Sequence, residues 1–338
     1  MKAALYEGKK KIRIVDLPKP KPKKGEALVK VKYAGICGSD LEFYKTGLWP
    51  MSCVLGHEIC GTIEELGEGI KKWKIGDRVF IDVSLSCGYC FYCQRGYNNL
   101  CENSLESIGV GRNGGFAEYM LVEERNLMVL PDAIPYKQGT IFDQIGTPLQ
   151  VLRETSFVAG NSAVILGLGT LGQFTLQCLK LAGANSIVVV ERNPYRLEVA
   201  KKFNPDLALN KLTLPRIKRA NKKGVSGADF VFECSGNPTL VNAALDLVRK
   251  GGTIVQIGLW DKPVEINLLK YVMNQNRIQG VIGALRQDLE FAIDLVARKL
   301  VDPDPIITKI IPLDEIVEEG FECGIDSDTK EIKILVEP

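Results

Sequence analysis

Ala163-Val164-Ile165-Leu166-Gly167-Leu168-Gly169-Thr170-Leu171-Gly172 runs a short apolar strand straight into G-x-G-x-x-G and then into a helical pattern, Thr170 to Leu181. Among 33 glycines in 338 residues the glycine spacing alone says little. Its place between a strand and a helix makes it a dinucleotide-binding turn. Gly167 permits the tight turn, Gly169 lets a pyrophosphate approach the backbone, and Gly172 lets helix and strand pack closely. Thr170 and Leu171 open the helix, whose first N–H groups and positive dipole end suit the phosphates. Glu191 ends the next strand, where a carboxylate can accept both ribose hydroxyls of NAD and repel the 2′-phosphate of NADP. Arg192 adjoins it and can bind that phosphate, and Arg196 can reach the same ribose. NAD is therefore the expected cofactor, with NADP the alternative.

Working outward, Ile187 to Val190 reads as a strand, Arg196 to Phe203 as a helix and Phe230 to Glu233 as a strand. Thr239 to Arg249 reads as a helix, and Thr253 to Ile257 and Arg277 to Ile282 as strands, followed by a helix from Leu285 to Lys299. Strands alternating with helices predict an α/β fold with a doubly wound parallel sheet. The first 147 residues differ. Short strands such as Ala27 to Tyr33, Cys60 to Glu65 and Arg78 to Val83 are punctuated by glycines 56, 61, 67, 69 and 76, which predicts an irregular β-barrel. After the parallel domain, the tail from Pro312 to Pro338 returns to short strands and turns. The expected plan is one domain from residues 1–147 and 284–338, interrupted by a nucleotide domain over residues 148–283.

Composition excludes several classes. The chain is 46% hydrophobic and 25% charged, with net charge +2, so nothing points to nucleic acid or to an anionic membrane. No apolar run is long enough to span a bilayer, and the N-terminus lacks a signal-peptide core. The lysines over Lys9–Lys11 and Lys19–Lys24 read as a solvated face. Ten cysteines are few for a secreted disulfide scaffold of this size. Four of them in a metal spacing fit a reducing cytoplasm.

Those four are Cys87, Cys90, Cys93 and Cys101, spaced C-x2-C-x2-C-x7-C. Four thiolates at this spacing can close around a tetrahedral ion and leave no free position, as in a structural zinc site. An iron–sulfur cluster competes, since C-x2-C-x2-C also begins a ferredoxin run. That run continues with x3-C-P, and here Glu102 follows the fourth cysteine. Upstream, Cys37-Gly38-Ser39-Asp40 and Gly56-His57-Glu58 offer one thiolate and the chain's one imidazole.

The order C-G-S-D, G-H-E, cysteine lobe, G-G-F-A-E-Y (114–119) and G-x-G-x-x-G resembles the zinc-containing medium-chain dehydrogenases over essentially the whole chain. That family includes alcohol, sorbitol and threonine dehydrogenases. The resemblance implies a GroES-like catalytic domain beside a Rossmann cofactor domain, two zinc ions per chain, and a homodimer or homotetramer acting on a small alcohol or ketone. It matches Cys37 and His57 to the first two catalytic zinc ligands and Glu58 to the acidic residue that follows, either a ligand or a carboxylate behind the ligands. The third ligand position falls on Asp143 within I-F-D-Q-I-G, binding directly or through water, or serving only as a helix residue. Ser39 matches the hydroxyl that accepts the alcohol proton. Three protein ligands and an open position make a catalytic site, where the ion lowers the pKa of an alcohol.

Two departures narrow the expectation. Relatives carry a histidine three residues after the serine, where this chain has Glu42. Threonine dehydrogenases carry one before the cysteine lobe, where it has Ser84. With His57 spent on zinc, Glu42, water or the ribose must complete the proton path. Phe43, Tyr44 and Trp49 can wall a pocket near the metal or serve as core. The expected activity is oxidation of a secondary alcohol, a small polyol or sugar-derived alcohol. The alternatives are a threonine or broad-range alcohol dehydrogenase, and a non-catalytic nucleotide-binding relative.

Overall fold

The computed structural model describes residues 1–48, 51–103, 107–219, 226–260, 263–326 and 328–338. Two compact units divide the chain: Met1–Asp143 with Leu285–Pro338, and Gln144–Ala284. The division lies inside one helix, Phe142–Glu154.

The first unit is built on Glu26–Gly35, whose small and β-branched residues suit a strand with neighbours on both sides. It pairs antiparallel with Glu58–Leu66, Tyr119–Glu123 and Lys333–Glu337. Register shifts at Leu28/Val29 and Val31/Tyr33 bend it, which lets the sheet curl. Arg78–Ile81 and Leu127–Val129 extend the sheet on one side, and Ile307–Pro312 on the other. Lys11–Asp16, Lys2–Gly8 and Cys53–Val54 form a second, three-stranded sheet. Between the layers lie Tyr6, Val29, Ile59, Phe116, Ile316 and Phe321, all but sealed from solvent. The Phe116 and Phe321 rings meet edge to face at 6.0 Å. Burying each such side chain contributes about 1.5–3 kcal/mol. Tyr44 belongs to this core: its ring lies 5.0 Å from that of Phe321, and its hydroxyl donates to Glu322 at 2.7 Å. Phe43 packs against the same core, and Trp49 lies outside the described residues.

The second unit is the parallel sheet that the strand–helix alternation predicts. Its six strands run in the order Leu207–Leu209, Ser186–Val190, Ser162–Leu166, Ala228–Glu233, Val248–Gln256 and Arg277–Gly280. All neighbours are parallel. Connections from Ser162–Leu166 run first one way and then the other, so the crevice beyond its carboxyl end is the topological switch point where such sheets bind ligands. The Gly167–Gly172 turn lies there.

Local chemistry moves some boundaries. The helix expected from Arg196 starts at Pro194, because Asn193 accepts the Tyr195 and Arg196 N–H groups and Pro194 fits the first helical position. The helix expected to reach Arg249 stops at Leu247, and the next strand begins at Val248. Among the described residues no helix is long and apolar enough to cross a membrane.

Candidate active site and cofactor turn

Strand Glu26–Gly35 delivers Cys37 to the start of helix Gly38–Thr46. Asp40 closes that helix start, its Oδ2 accepting the Cys37 N–H at 2.9 Å. The other carboxylate oxygen of Asp40 lies 3.3 Å from His57 Nδ1. Asp40 is completely buried. It therefore holds the backbone of one candidate ligand and lies against one ring nitrogen of another, with His57 Nε2 on the opposite side of the ring. Ser39 Oγ lies 3.4 Å from that nitrogen.

His57 rides on a turn in which Gly56 takes φ +93°. Gly114 and Gly115 lie against this turn: the Gly115 N–H donates to Gly56 O at 2.9 Å, and a Cβ on Gly114 would come within 2.1 Å of that oxygen. The G-G-F-A-E-Y motif thus acts as a buttress for the histidine.

The donor atoms of Cys37, His57 and Glu58 all lie within 4.8 Å of one another. Thiolate, imidazole and carboxylate at this separation suit zinc. The electrostatics agree. Burial pushes the His57 ring pKa down, yet Asp40 and Cys37 outweigh it and hold it well above the usual value. Asp143 lies outside the three-residue set. Burial pushes its carboxyl up to about 6, with Glu58 and Asp82 adding to the rise and His57 opposing it. Glu42 sits three residues after Ser39, on the same helical face. It is half-buried and has no side-chain hydrogen bond or ion pair among the described residues.

Two residues of this region escape sequence reasoning. One is Asp40, present in the motif but silent about its partner. The other is Lys333, whose buried Nζ donates to both oxygens of Glu58, each at 2.7 Å, and to Ile36 O at 2.8 Å.

The four-cysteine lobe closes on itself. The four sulfurs lie within 4.8 Å of one another, with Cys87–Cys93 at 3.9 Å and Cys90–Cys101 at 4.0 Å. A tetrahedron with metal–sulfur bonds of about 2.3 Å has edges of about 3.8 Å. That spacing fits a single ion better than the wider set of sulfurs around an iron–sulfur cluster. Backbone N–H groups of Cys87, Cys90, Cys93 and Asn103 point at these sulfurs at 3.3–3.5 Å, stabilising thiolates. Burial raises the Cys87 thiol, but hydrogen bonds from Asn103 and the Tyr89 and Cys90 backbone bring it down to about 6. Burial and the neighbouring cysteines push Cys93 up to about 12. Thiolates this close repel one another, and a cation between them offsets that repulsion.

In the second unit, the glycine turn has the close contacts its motif requires. Gly167 takes φ +91°, and a Cβ on Gly172 would come within 2.0 Å of Gly167 O. A Cβ on Gly169 would meet nothing within 4 Å, so that face is open to a ligand. Thr170 and Leu171 form the first turn of helix Thr170–Leu181. Glu191 folds back to this turn, accepting the Leu168 N–H at 2.6 Å and the Asn193 N–H at 2.8 Å. Carboxylate lone pairs remain for a ribose. Arg192 is exposed, and Arg196 is half-buried with its carbonyl on the Gln173 amide at 2.8 Å.

Residues 23–132 match the family described as alcohol dehydrogenase GroES-like domain, and residues 170–298 match zinc-binding dehydrogenase. The chain is 32% identical to (R,R)-butanediol dehydrogenase of Bacillus subtilis, with 100% of both chains covered. It is 30% identical to L-threonine 3-dehydrogenase of Shewanella putrefaciens, with 94% of each covered. The crystal structure of the Bacillus subtilis 2R,3R-butanediol dehydrogenase superposes with a TM-score of 0.90, covering 100% of this chain and 99% of that one. An alcohol dehydrogenase from E. coli CFT073 complexed with NADH gives 0.91 at 27% identity, covering 100% of this chain and 99% of that one. A protein from Sinorhizobium meliloti bound to NADP gives 0.87 at 29% identity, with the same coverage.

Proposed function

This chain belongs to the zinc-containing medium-chain alcohol dehydrogenases, and from that membership we propose that it interconverts a secondary hydroxyl of a small polyol or sugar-derived alcohol and the corresponding ketone. Its general chemistry, hydride exchange between an alcohol and a nicotinamide cofactor, is that of the family. The observation that carries the substrate reading is the donor set: one thiolate, one imidazole and the carboxylate of Glu58 gathered within 4.8 Å, with Asp143 nearby. Carboxylates are harder donors than a second thiolate and suit an oxygen-rich substrate able to chelate the ion. The similarity to a butanediol dehydrogenase favours the same class.

Two zinc ions per chain follow from the two donor sets, one structural at Cys87, Cys90, Cys93 and Cys101, and one catalytic. At the catalytic site, zinc held by Cys37 and His57 with carboxylate help from Glu58 and Asp143 supplies the Lewis acidity that lowers the pKa of an alcohol. Ser39, beside His57 Nε2, accepts the proton that leaves the alcohol. Glu42, one turn along the same face, is the next polar group in its path.

NAD is preferred to NADP because the buried Glu191 carboxylate lies at the ribose end of the turn and repels a 2′-phosphate. A cytoplasmic location suits ten cysteines with no disulfide among them.

A second copy of the chain is the expected partner. The edge strand Arg277–Gly280 leaves one side of its backbone unpaired within the sheet, and Leu268, Leu269, Val272, Met273 and Ile282 are exposed in the same unit. Such an edge pairs readily with its own copy. Light scattering that finds a monomer at micromolar concentration refutes this. The substrate reading is tested by following reduced nicotinamide with a panel of vicinal diols, sugar alcohols, threonine and primary alcohols. A primary alcohol turned over far better than any polyol overturns it.

A further inference from the structure

Gln173 is the fourth residue of helix Thr170–Leu181 and is completely buried. Buried polar atoms are normally hydrogen-bonded, and this amide meets that rule at one end only. Its Nε2 donates to two carbonyl oxygens, Leu168 O at 3.3 Å and Arg196 O at 2.8 Å. Its Oε1 meets no donor among the described residues. A methionine would fill much the same length without burying an unpaired oxygen. What the amide supplies here is its NH2 end.

That end closes a ring of hydrogen bonds. Leu168 lies between the first two glycines of the cofactor turn, and its N–H donates to Glu191 Oε2 at 2.6 Å. The other carboxylate oxygen accepts the Asn193 N–H at 2.8 Å. The Asn193 side chain accepts the Arg196 N–H at 3.2 Å, and the Arg196 carbonyl returns to Gln173. The glycine turn, the end of strand Ser186–Val190 and the start of helix Pro194–Lys201 are thus tied around one carboxylate. The two N–H groups that hold Glu191 belong to separate segments, Leu168 in the turn and Asn193 before the helix. Gln173 joins those segments through their carbonyls, so the two holds on Glu191 keep a fixed spacing.

We infer, on the NAD reading above, that Gln173 is a positioning residue for cofactor choice, which locks the Glu191 carboxylate in place through Leu168 and Arg196. A carboxylate locked in this way is preorganised to accept ribose hydroxyls and meets a 2′-phosphate with its full charge. With the brace gone, the two segments and the carboxylate between them can shift, and both effects weaken.

The test titrates purified enzyme with NADH and with NADPH, follows nicotinamide fluorescence, and reads the ratio of the two Kd values. Gln173→Met should lower the preference for NADH by at least about threefold, within the range of one neutral hydrogen bond. In the Glu191→Ala background the same substitution should leave the ratio unchanged, because no carboxylate remains to be held. A change that only loosens the fold weakens both cofactors together and leaves the ratio at its native value. A native ratio in Gln173→Met therefore overturns the proposal, as does an equal fall with and without Glu191. Asn193→Ala opens the ring on its other side at the cost of a helix cap, and it tests the same idea even where Gln173→Met does not fold. It should lower the ratio in the same direction, and a native ratio there overturns the proposal as well. Native enzyme that binds NADPH as tightly as NADH overturns the NAD reading itself, and the role of Gln173 falls with it.

Discussion

Asp40→Asn keeps the shape of a buried side chain and changes only which of its atoms can accept a hydrogen bond. In the native site one oxygen accepts the Cys37 N–H at 2.9 Å, and the other lies 3.3 Å from His57 Nδ1. Asparagine has one oxygen and one NH2, so either orientation fails at one end. If the amide nitrogen meets the Cys37 N–H, two donors face each other and a buried N–H is left unsatisfied, costing about 1–3 kcal/mol. If it meets His57, Nδ1 must become the acceptor, the ring proton moves to Nε2, and the nitrogen that should bind the ion is blocked. Losing the partner that orients a metal-bound histidine lowers affinity by about 10–100-fold, or ~1.4–2.7 kcal/mol. Competition against a graded set of chelators should find that loss at the catalytic ion. The four-cysteine ion should keep its native affinity and serve as the internal control. Native affinity for both ions in Asp40→Asn refutes the argument that this carboxylate sets the histidine tautomer.

Three further outcomes follow from the same geometry. Ser39→Ala should lower kcat/KM by about 10²–10⁴-fold, the usual share of a proton-transfer group, with unchanged metal content; an unaffected rate removes Ser39 from the proton path. Glu191→Ala should reduce a preference for NAD by about tenfold, ~1.4 kcal/mol, seen as converging kcat/KM values for NAD and NADP. It should also lower Tm, because the Leu168 and Asn193 N–H groups lose their acceptor. Cys90→Ser should lower Tm, by about 2–4 °C for each kcal/mol lost, while the catalytic ion stays bound; loss of the catalytic ion first would reverse the assignment of the two sites.

The features legible in the sequence are those whose partners lie close along the chain. The glycine turn is read from a strand, three glycines and a helix inside about twenty residues, and the cysteine lobe from four ligands inside fifteen. Local spacing therefore carries their geometry. The metal pocket behaves differently. C-G-S-D and G-H-E name atoms able to reach an ion, but say nothing of which are already engaged. Asp40 looks like a helix cap and is one, yet its second oxygen lies 3.3 Å from His57 Nδ1, a neighbour the motif does not name. Lys333 sits in K-E-I-K-I-L-V-E, where nothing local separates it from a solvated strand lysine. Its partner Glu58 is 275 residues away.

Glu191 follows the same logic in milder form. Its place just after the second strand is legible, but the hydrogen bonds that tie both its oxygens to backbone N–H groups are not. Under the proposed NAD preference, a carboxylate held by two N–H donors meets a 2′-phosphate at a fixed place. In both sites a motif supplies the charge, and long-range packing decides where that charge is held and how much of it a ligand meets.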